Sequence, residues 1–275
     1  MKDYKTISLD NNEKQLYTEI LKKATKFFQK MLLSKSASEA RILLEKWELT
    51  SDTIKTFGLG YALDSMNALT SHLLQEGYTE ESLVKSGIAV FDEDEQCADR
   101  FRNRIMIPIM DVNESVVGFC GRIIGNDNPK WLNSPETVIF NKKQNLFSLQ
   151  HAKHQRELIL VEGVLDVVFL YQNGIKNAVT SFGMPLVPEQ ARLMKEYADK
   201  VTICYDADRT INLDIMHAFY GQNIDVRILE LEQKDGCRDP YEYVKNNGTR
   251  KFAELLNSAE TVKEFKKRNE MGLYK

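Results

Sequence analysis

Apolar residues return every three or four positions from Leu16 to Leu32, through Tyr17, Ile20, Leu21, Ala24, Phe27, Phe28 and Met31. This spacing predicts one amphipathic helix. Ser36 and Glu39 stand at capping-box spacing ahead of Ala40, Ile42, Leu43 and Leu44, so a second helix is expected to begin there. Asp64 is expected to cap a third, through Met66, Leu69, Leu73 and Leu74 to Gly77, and Thr79 to open a short fourth. Around residue 100 the texture changes. Residues 104–111 and 115–124 read as two hairpin strands joined at Val112-Asn113-Glu114, whereas 130–137 carries too many turn residues for a regular element. From 157 onward short apolar runs (158–161, 177–181, 201–205, 225–231) alternate with helical stretches (164–171, 188–197 and one ending near Gly221). Such alternation predicts βαβ units around a mainly parallel central sheet. The expected fold class is therefore α+β with α/β. An N-terminal subdomain spans 1–156 (helical over 1–99, mixed over 100–156), an α/β domain spans 157–242, and a short helical segment spans 243–275.

Hydrophobic residues make up 43% of the 275 and charged residues 28%, which argues for a globular chain and against disorder. No apolar run approaches the roughly 20 residues that span a bilayer. The start Met1-Lys-Asp-Tyr-Lys-Thr6 lacks the apolar core of a signal peptide, so a cytoplasmic location without membrane partners is expected. Cys97, Cys120, Cys204 and Cys237 form no CxxC pair, and Cys120 and Cys204 fall inside apolar runs, which points to buried thiols rather than a zinc ribbon. His151 and His154 share a helical spacing best explained by a solvated face. No zinc is expected.

The net charge of −3 disguises segregation. Residues 1–99 hold 12 basic and 17 acidic side chains, and residues 100–156 hold 9 and 4, a net of +5. Residues 157–242 hold 8 and 15, a net of −7, and residues 243–275 hold 8 and 4. A basic stretch thus stands directly before an acidic one.

Ligands of open α/β sheets bind outside the carboxyl ends of the strands. Glu162 follows the first predicted strand, Asp206 and Asp208 the third, and Asp239 the fourth, while Asp166 lies one helical turn past Glu162. Carboxylates converging without cations repel one another. Oxygen-only ligands favour Mg²⁺ or Mn²⁺ over zinc.

The ordered series Leu160-Val-Glu-Gly-Val-Leu-Asp-Val167, Ala178-Val-Thr-Ser-Phe-Gly183, Ile203-Cys-Tyr-Asp-Ala-Asp208 and Arg238-Asp-Pro-Tyr-Glu-Tyr243 resembles a Toprim domain, in particular that of bacterial DnaG-type primases. The preceding segments Asp99-Arg-Phe-Arg-Asn-Arg-Ile-Met-Ile-Pro108, Gly118-Phe-Cys-Gly-Arg122 and Pro129-Lys-Trp-Leu-Asn-Ser-Pro-Glu-Thr-Val-Ile-Phe140 are similar to motifs that precede Toprim in those enzymes. So are Phe57-Gly-Leu-Gly-Tyr-Ala-Leu-Asp-Ser65 and Leu74-Gln-Glu-Gly-Tyr78, and the resemblance covers roughly residues 14–257. It implies a catalytic core that makes short RNA primers from ribonucleoside triphosphates on single-stranded DNA, using Mg²⁺ or Mn²⁺. By position it implies metal ligands at Glu162, Asp166, Asp206, Asp208 and Asp239, with Glu162, Asp206 and Asp208 catalytic and Glu162 the candidate for proton transfer. It implies a template-binding ridge carried by Arg100, Arg102, Arg122, Lys130, Asn133 and Lys142, to which Trp131 adds a stacking face or a core anchor.

The sequence departs from that family at three places. Asp206-Ala207-Asp208-Arg209-Thr-Ile-Asn212 lacks the small residues usual after the second Asp, and Arg209 falls near the expected nucleotide. Met184-Pro185 replaces small polar residues after Gly183, and Tyr241 stands where a further Asp is usual. The zinc-binding and helicase-binding domains of a cellular primase are expected to be missing, with a separate zinc-domain protein or a replicative helicase as partner. Two other readings stay open: a degenerate Toprim protein that binds nucleic acid or a replication partner without catalysis, and a Toprim-type nuclease.

Overall fold

The computed structural model describes residues 11–207, 213–231 and 236–272, which fall into two compact units. The first takes the described residues to Met110 and Ser115–Asn141; the second takes Asp111–Glu114 and the described residues from Lys142 on.

The first unit opens with helix α1 (Asn11–Leu32), which buries Tyr17, Ile20, Leu21, Ala24, Phe28 and Leu32, the stripe its spacing predicts. Helices α2 (Ser38–Lys46) and α3 (Ser51–Thr56) follow, then strand β1 (Gly60–Ala62), α4 (Ala68–Gln75), α5 (Glu80–Lys85) and the small hairpin β2 (Ala89–Phe91) and β3 (Cys97–Asp99). Strands β4 (Arg104–Met110), β5 (Val116–Ile123) and β6 (Trp131–Asn133) complete an antiparallel sheet of order β1-β4-β5-β6. Its core joins α1 to the sheet through edge-on aromatic contacts, Phe28 on Phe119 at 5.4 Å and Phe101 on Phe119 at 6.3 Å. Gly60 permits β1 to lie directly on α1: a Cβ there would stand 2.5 Å from the backbone carbon of Phe28.

Several expectations need correction here. Lys35–Ala37 form a 3-10 turn, and α2 begins at Ser38 with no side-chain cap, so the Ser36–Glu39 capping box is not formed. Asp64 does not cap α4. That helix starts four residues later, and its first free N–H groups, on Leu69 and Thr70, donate instead to the carboxylate of Asp99 at 2.9 and 2.8 Å. Thr79 does cap α5, accepting from the Ser82 N–H at 3.2 Å. Residues 131–133 form a regular strand after all, because pairing with β5 supplies the hydrogen bonds that its turn-rich flanks do not.

The second unit contains α6 (Leu149–Ala152), β7 (Glu157–Val161), α7 (Val164–Gln172), β8 (Ala178–Thr180), α8 (Pro188–Tyr197), β9 (Lys200–Ile203), α9 (Met216–Phe219) and β10 (Asp225–Ile228). It closes with α10 (Pro240–Asn247), α11 (Thr249–Asn257), β11 (Glu260–Thr261) and α12 (Val262–Gly272). The sheet order is β11-β10-β9-β7-β8; four strands are parallel, and β11 adds an antiparallel edge inside the tail expected to be wholly helical. Leu158, Leu160, Val179, Val201 and Ile203 bury the sheet beneath Ala191 and Met194 of α8 and Phe265 of α12. Cys120 and Cys204 are buried as expected, and all four cysteines are free thiols. His151 is not a solvated side chain: it is half-buried, its ring 4.8 Å from that of Tyr171. Among the described residues no helix is long and apolar enough to cross a membrane.

Candidate functional site

Glu162 is the first residue beyond β7, and its backbone carbonyl accepts the buried Thr180 hydroxyl of β8 at 2.7 Å. Asp166 lies in the first turn of α7. One carboxylate oxygen accepts the Gly163 N–H at 3.1 Å, and the other accepts the N–H of Tyr241 at 3.2 Å, from the first turn of α10. A Cβ at Gly163 would stand 2.4 Å from that carboxylate and push it from its place. Asp206 follows β9 by three residues, and the next N–H, of Ala207, donates to the Arg238 carbonyl at 2.6 Å. Asp239 then caps α10 by accepting the Glu242 N–H at 2.7 Å. The Asp166 carboxylate and one backbone hydrogen bond therefore bind the turn after β7, the turn after β9 and the start of α10 into one arrangement.

The electrostatics register this convergence. Asp166 is only 6% exposed, and its pKa is pushed well above the ordinary carboxylate value, chiefly by burial and then by the charges of Asp239 and Asp206. The N–H groups of Tyr241 and Gly163 pull the other way. Burial, followed by Asp166 and Asp206, also raises the thiol of Cys204. The structure thus brings Asp206 and Asp239 into electrostatic range of Asp166 and leaves Glu162 one residue past the end of β7. Asp208 and Arg209 lie outside the described residues. Among the described residues alone, no group of three or more His, Cys, Asp or Glu closes into a ligand set. In donor chemistry the carboxylates fit a hard divalent ion, which removes the mutual repulsion that burdens Asp166. Tyr241 turns its ring away onto Phe169, at 4.3 Å between centroids, with the Lys245 ammonium 5.8 Å from the ring.

The basic residues fall in both units. Arg100, Arg102 and Arg104 line a cleft of about 760 Å³ in the first unit, together with Asn103, Pro129 and the carboxylates Asp64 and Asp127. Arg100 is half-buried, and its Nε is enclosed with no hydrogen-bond partner among the described residues; burial lowers its pKa. Arg102 is exposed beside Met66. Arg122 of β5 reaches back to the Ile123 carbonyl, Lys130 is exposed, and Asn133 is half-buried on β6. Lys142 belongs to the second unit, where its carbonyl accepts the Gln190 side chain at 3.0 Å. Trp131 is half-buried and stacks on Trp47.

Comparison with known proteins agrees with this fold. Residues 27–153 match the family model for the DNA primase catalytic core, N-terminal domain, and residues 159–244 match a Toprim-like model. The Escherichia coli primase catalytic core superposes with a TM-score of 0.83 at 32% identity, over 93% of this chain and 84% of that one. The chain belongs to the DnaG primase catalytic-core family. A DnaG primase catalytic domain solved bound to ssDNA matches at a TM-score of 0.82 and 31% identity, over 92% of this chain and 84% of that one. The DNA primase of Clostridium acetobutylicum is 35% identical over 96% of this chain and 46% of its own length. That of Enterococcus faecalis is 33% identical over 94% and 43%. The chain therefore spans less than half the length of these curated primases.

Within this DnaG core, three contributors to the site escape a reading by residue type. Arg104 is 5% exposed and donates to the carbonyls of Gly121 and Pro129 at 3.1 and 3.0 Å, fixing one wall of the cleft. Its two-residue spacing from Arg102, itself two from Arg100, was the available signal. Thr180 and Trp47 act through contacts far along the chain, and no local pattern marks them.

Proposed function

We propose that the chain catalyses divalent-metal-dependent synthesis of RNA primers from ribonucleoside triphosphates on single-stranded DNA. The observation that carries this reading is the convergence of Asp166, Asp206 and Asp239 at the carboxyl end of a parallel sheet. Glu162, Asp166, Asp206 and Asp239, with Asp208, are the residues proposed to hold Mg²⁺ or Mn²⁺. Such an ion would neutralise the triphosphate and favour ionisation of the attacking 3′-hydroxyl. The chain's own residues do the rest. Asp166, with both oxygens occupied by backbone N–H groups, fixes Asp239 relative to Glu162. Glu162 is the proposed acceptor of the hydroxyl proton. Arg100, Arg102, Arg122, Lys130, Asn133 and Lys142 bind template phosphates without reading sequence. The proposed partner is a replicative helicase or a zinc-domain protein, in the cytoplasm.

The test is ribonucleotide incorporation on a single-stranded template with Mg²⁺ or Mn²⁺ and candidate partners supplied. Asp206→Ala and Asp208→Ala are expected to abolish it. Template binding without primer synthesis by the wild type would favour the degenerate Toprim reading, to which the displaced acid at Tyr241 gives specific support. Degradation of the template would favour the nuclease.

A further inference from the structure

Helix α1 turns its apolar stripe inward, and its opposite face carries Lys22, Lys26 and Lys30 at four-residue spacing, one above the other. All three are exposed and make no ion pair among the described residues, whereas Lys23 beside them is bound to Glu76 at 2.6 Å. They line a cleft of about 620 Å³ that also holds the carboxylates of Glu19 and Glu76. Leu33 follows Lys30 by three residues on the same side and is 84% exposed. There the surface changes character. Leu33 lines a groove of about 580 Å³ between the end of α1, α2 and α3, with Leu32, Leu44, Leu49 and Ile54 among its apolar walls. Arg41 and Lys55 also line it, against the carboxylate of Glu45. Arg41 donates to the carbonyls of Leu32 and Ser34 at 3.0 and 2.7 Å, which fixes α2 to the end of α1 and gives the groove its shape. All of these residues belong to the first unit.

A lone exposed leucine, or a lysine on a solvated helix face, needs no explanation. Here the two run into each other. Over about 16 Å of helix, from Lys22 to Leu33, unpaired positive charge gives way to an apolar groove. A nucleic-acid backbone fits such a surface poorly. Its charge is unbroken, while Glu19, Glu76 and Glu45 interrupt the cations, and a phosphate chain has nothing to place against leucines. A polypeptide carries acidic and apolar side chains separately and meets both demands. We infer that this face of the first unit docks a segment of a partner protein that is acidic over one half and apolar over the other. The acidic half lies along Lys22, Lys26 and Lys30, and the apolar half enters the groove beside Leu33. None of these residues is among those proposed to hold template or metal, so the docking surface stands or falls apart from primer synthesis.

The probe is a dye-labelled synthetic peptide with Glu at every fourth position through its first half and Leu at every fourth position through its second. Its binding to the full chain is read by fluorescence anisotropy without metal or DNA. Saturable binding that weakens with added salt is expected. Lys26→Glu combined with Lys30→Glu should weaken it about 10-fold or more and remove most of the salt dependence. A peptide with Lys in place of Glu should prefer that double variant to the wild type. Leu33→Ser should weaken binding about 3- to 10-fold with the salt dependence kept. A peptide with Ser in place of Leu should lose affinity likewise, and needs no altered protein. Equal affinity for a scrambled peptide of the same composition would overturn the proposal, as would absence of binding or an unchanged Kd in both variants. Oligothymidylate binding that falls in the double variant as far as peptide binding does would also overturn it, and would mark a nucleic-acid surface instead. Ribonucleotide incorporation should be the same in every variant. A chain that binds the peptide in this pattern yet makes no primers would keep the docking surface and overturn the reading of function.

Discussion

Asp99 and Asp166 are both buried carboxylates, each accepting two backbone N–H groups, yet they do different work. Asp99 answers the free N–H groups of α4 and the Thr70 hydroxyl, and burial raises its pKa against the pull of those donors and of Arg102. Asp99→Ala leaves them enclosed and unanswered, so the first unit should lose about 1–3 kcal/mol in urea denaturation. Asp166 faces Asp239 and Asp206 as well, and its folded pKa lies above its unfolded one. The native state therefore holds the extra proton between those two values. The stability from this group is greatest below the unfolded pKa and is lost as pH rises through the folded one. Measured against Asp166→Asn, the metal-free wild type should gain stability as pH is lowered from neutral, and saturating Mg²⁺ should flatten that slope.

Elements whose stability comes from their own amphipathic face were legible in the sequence. The stripe of α1 and the extent of α8, Pro188–Tyr197, follow directly from spacing, as do β4, β5 and β7. Most elements of two or three residues were not, because β6, β2, β3 and β11 exist through the partner that pairs with them; β8 is the exception, marked by its own apolar run. The cap of α4 escaped for the same reason: its acceptor stands some thirty residues downstream. In the site, the carboxylates at the turns after β7 and β9 were foreseeable from strand ends. The role of Asp166 as a bracket was not, since it depends on a backbone N–H on α10. The contact of β1 with α1 gives a sharp test. Gly60→Ala forces a methyl against the Phe28 backbone, and an expected loss of about 1–3 kcal/mol should appear in the unfolding midpoint of the first unit.

Across the whole molecule the charge is divided, with a net +5 over residues 100–156 and −7 over residues 157–242. If Arg100 and Arg102 bind phosphates, replacing both with Ala should lower the slope of log affinity against log salt by about 1.4 for a single strand. Mn²⁺ binding, followed by electron paramagnetic resonance, should not change, because that task is proposed for the carboxylates of the other unit. The bond between Asp166 and the Tyr241 N–H spans 75 residues. Its two ends leave the ribosome at different times, Glu162 and Asp166 well ahead of α10. On the reading proposed here, a chain arrested between them already carries every arginine of the template surface and none of the completed acidic site. Such a fragment would sit on a strand without extending it, so truncated copies should act as competitors of the finished protein.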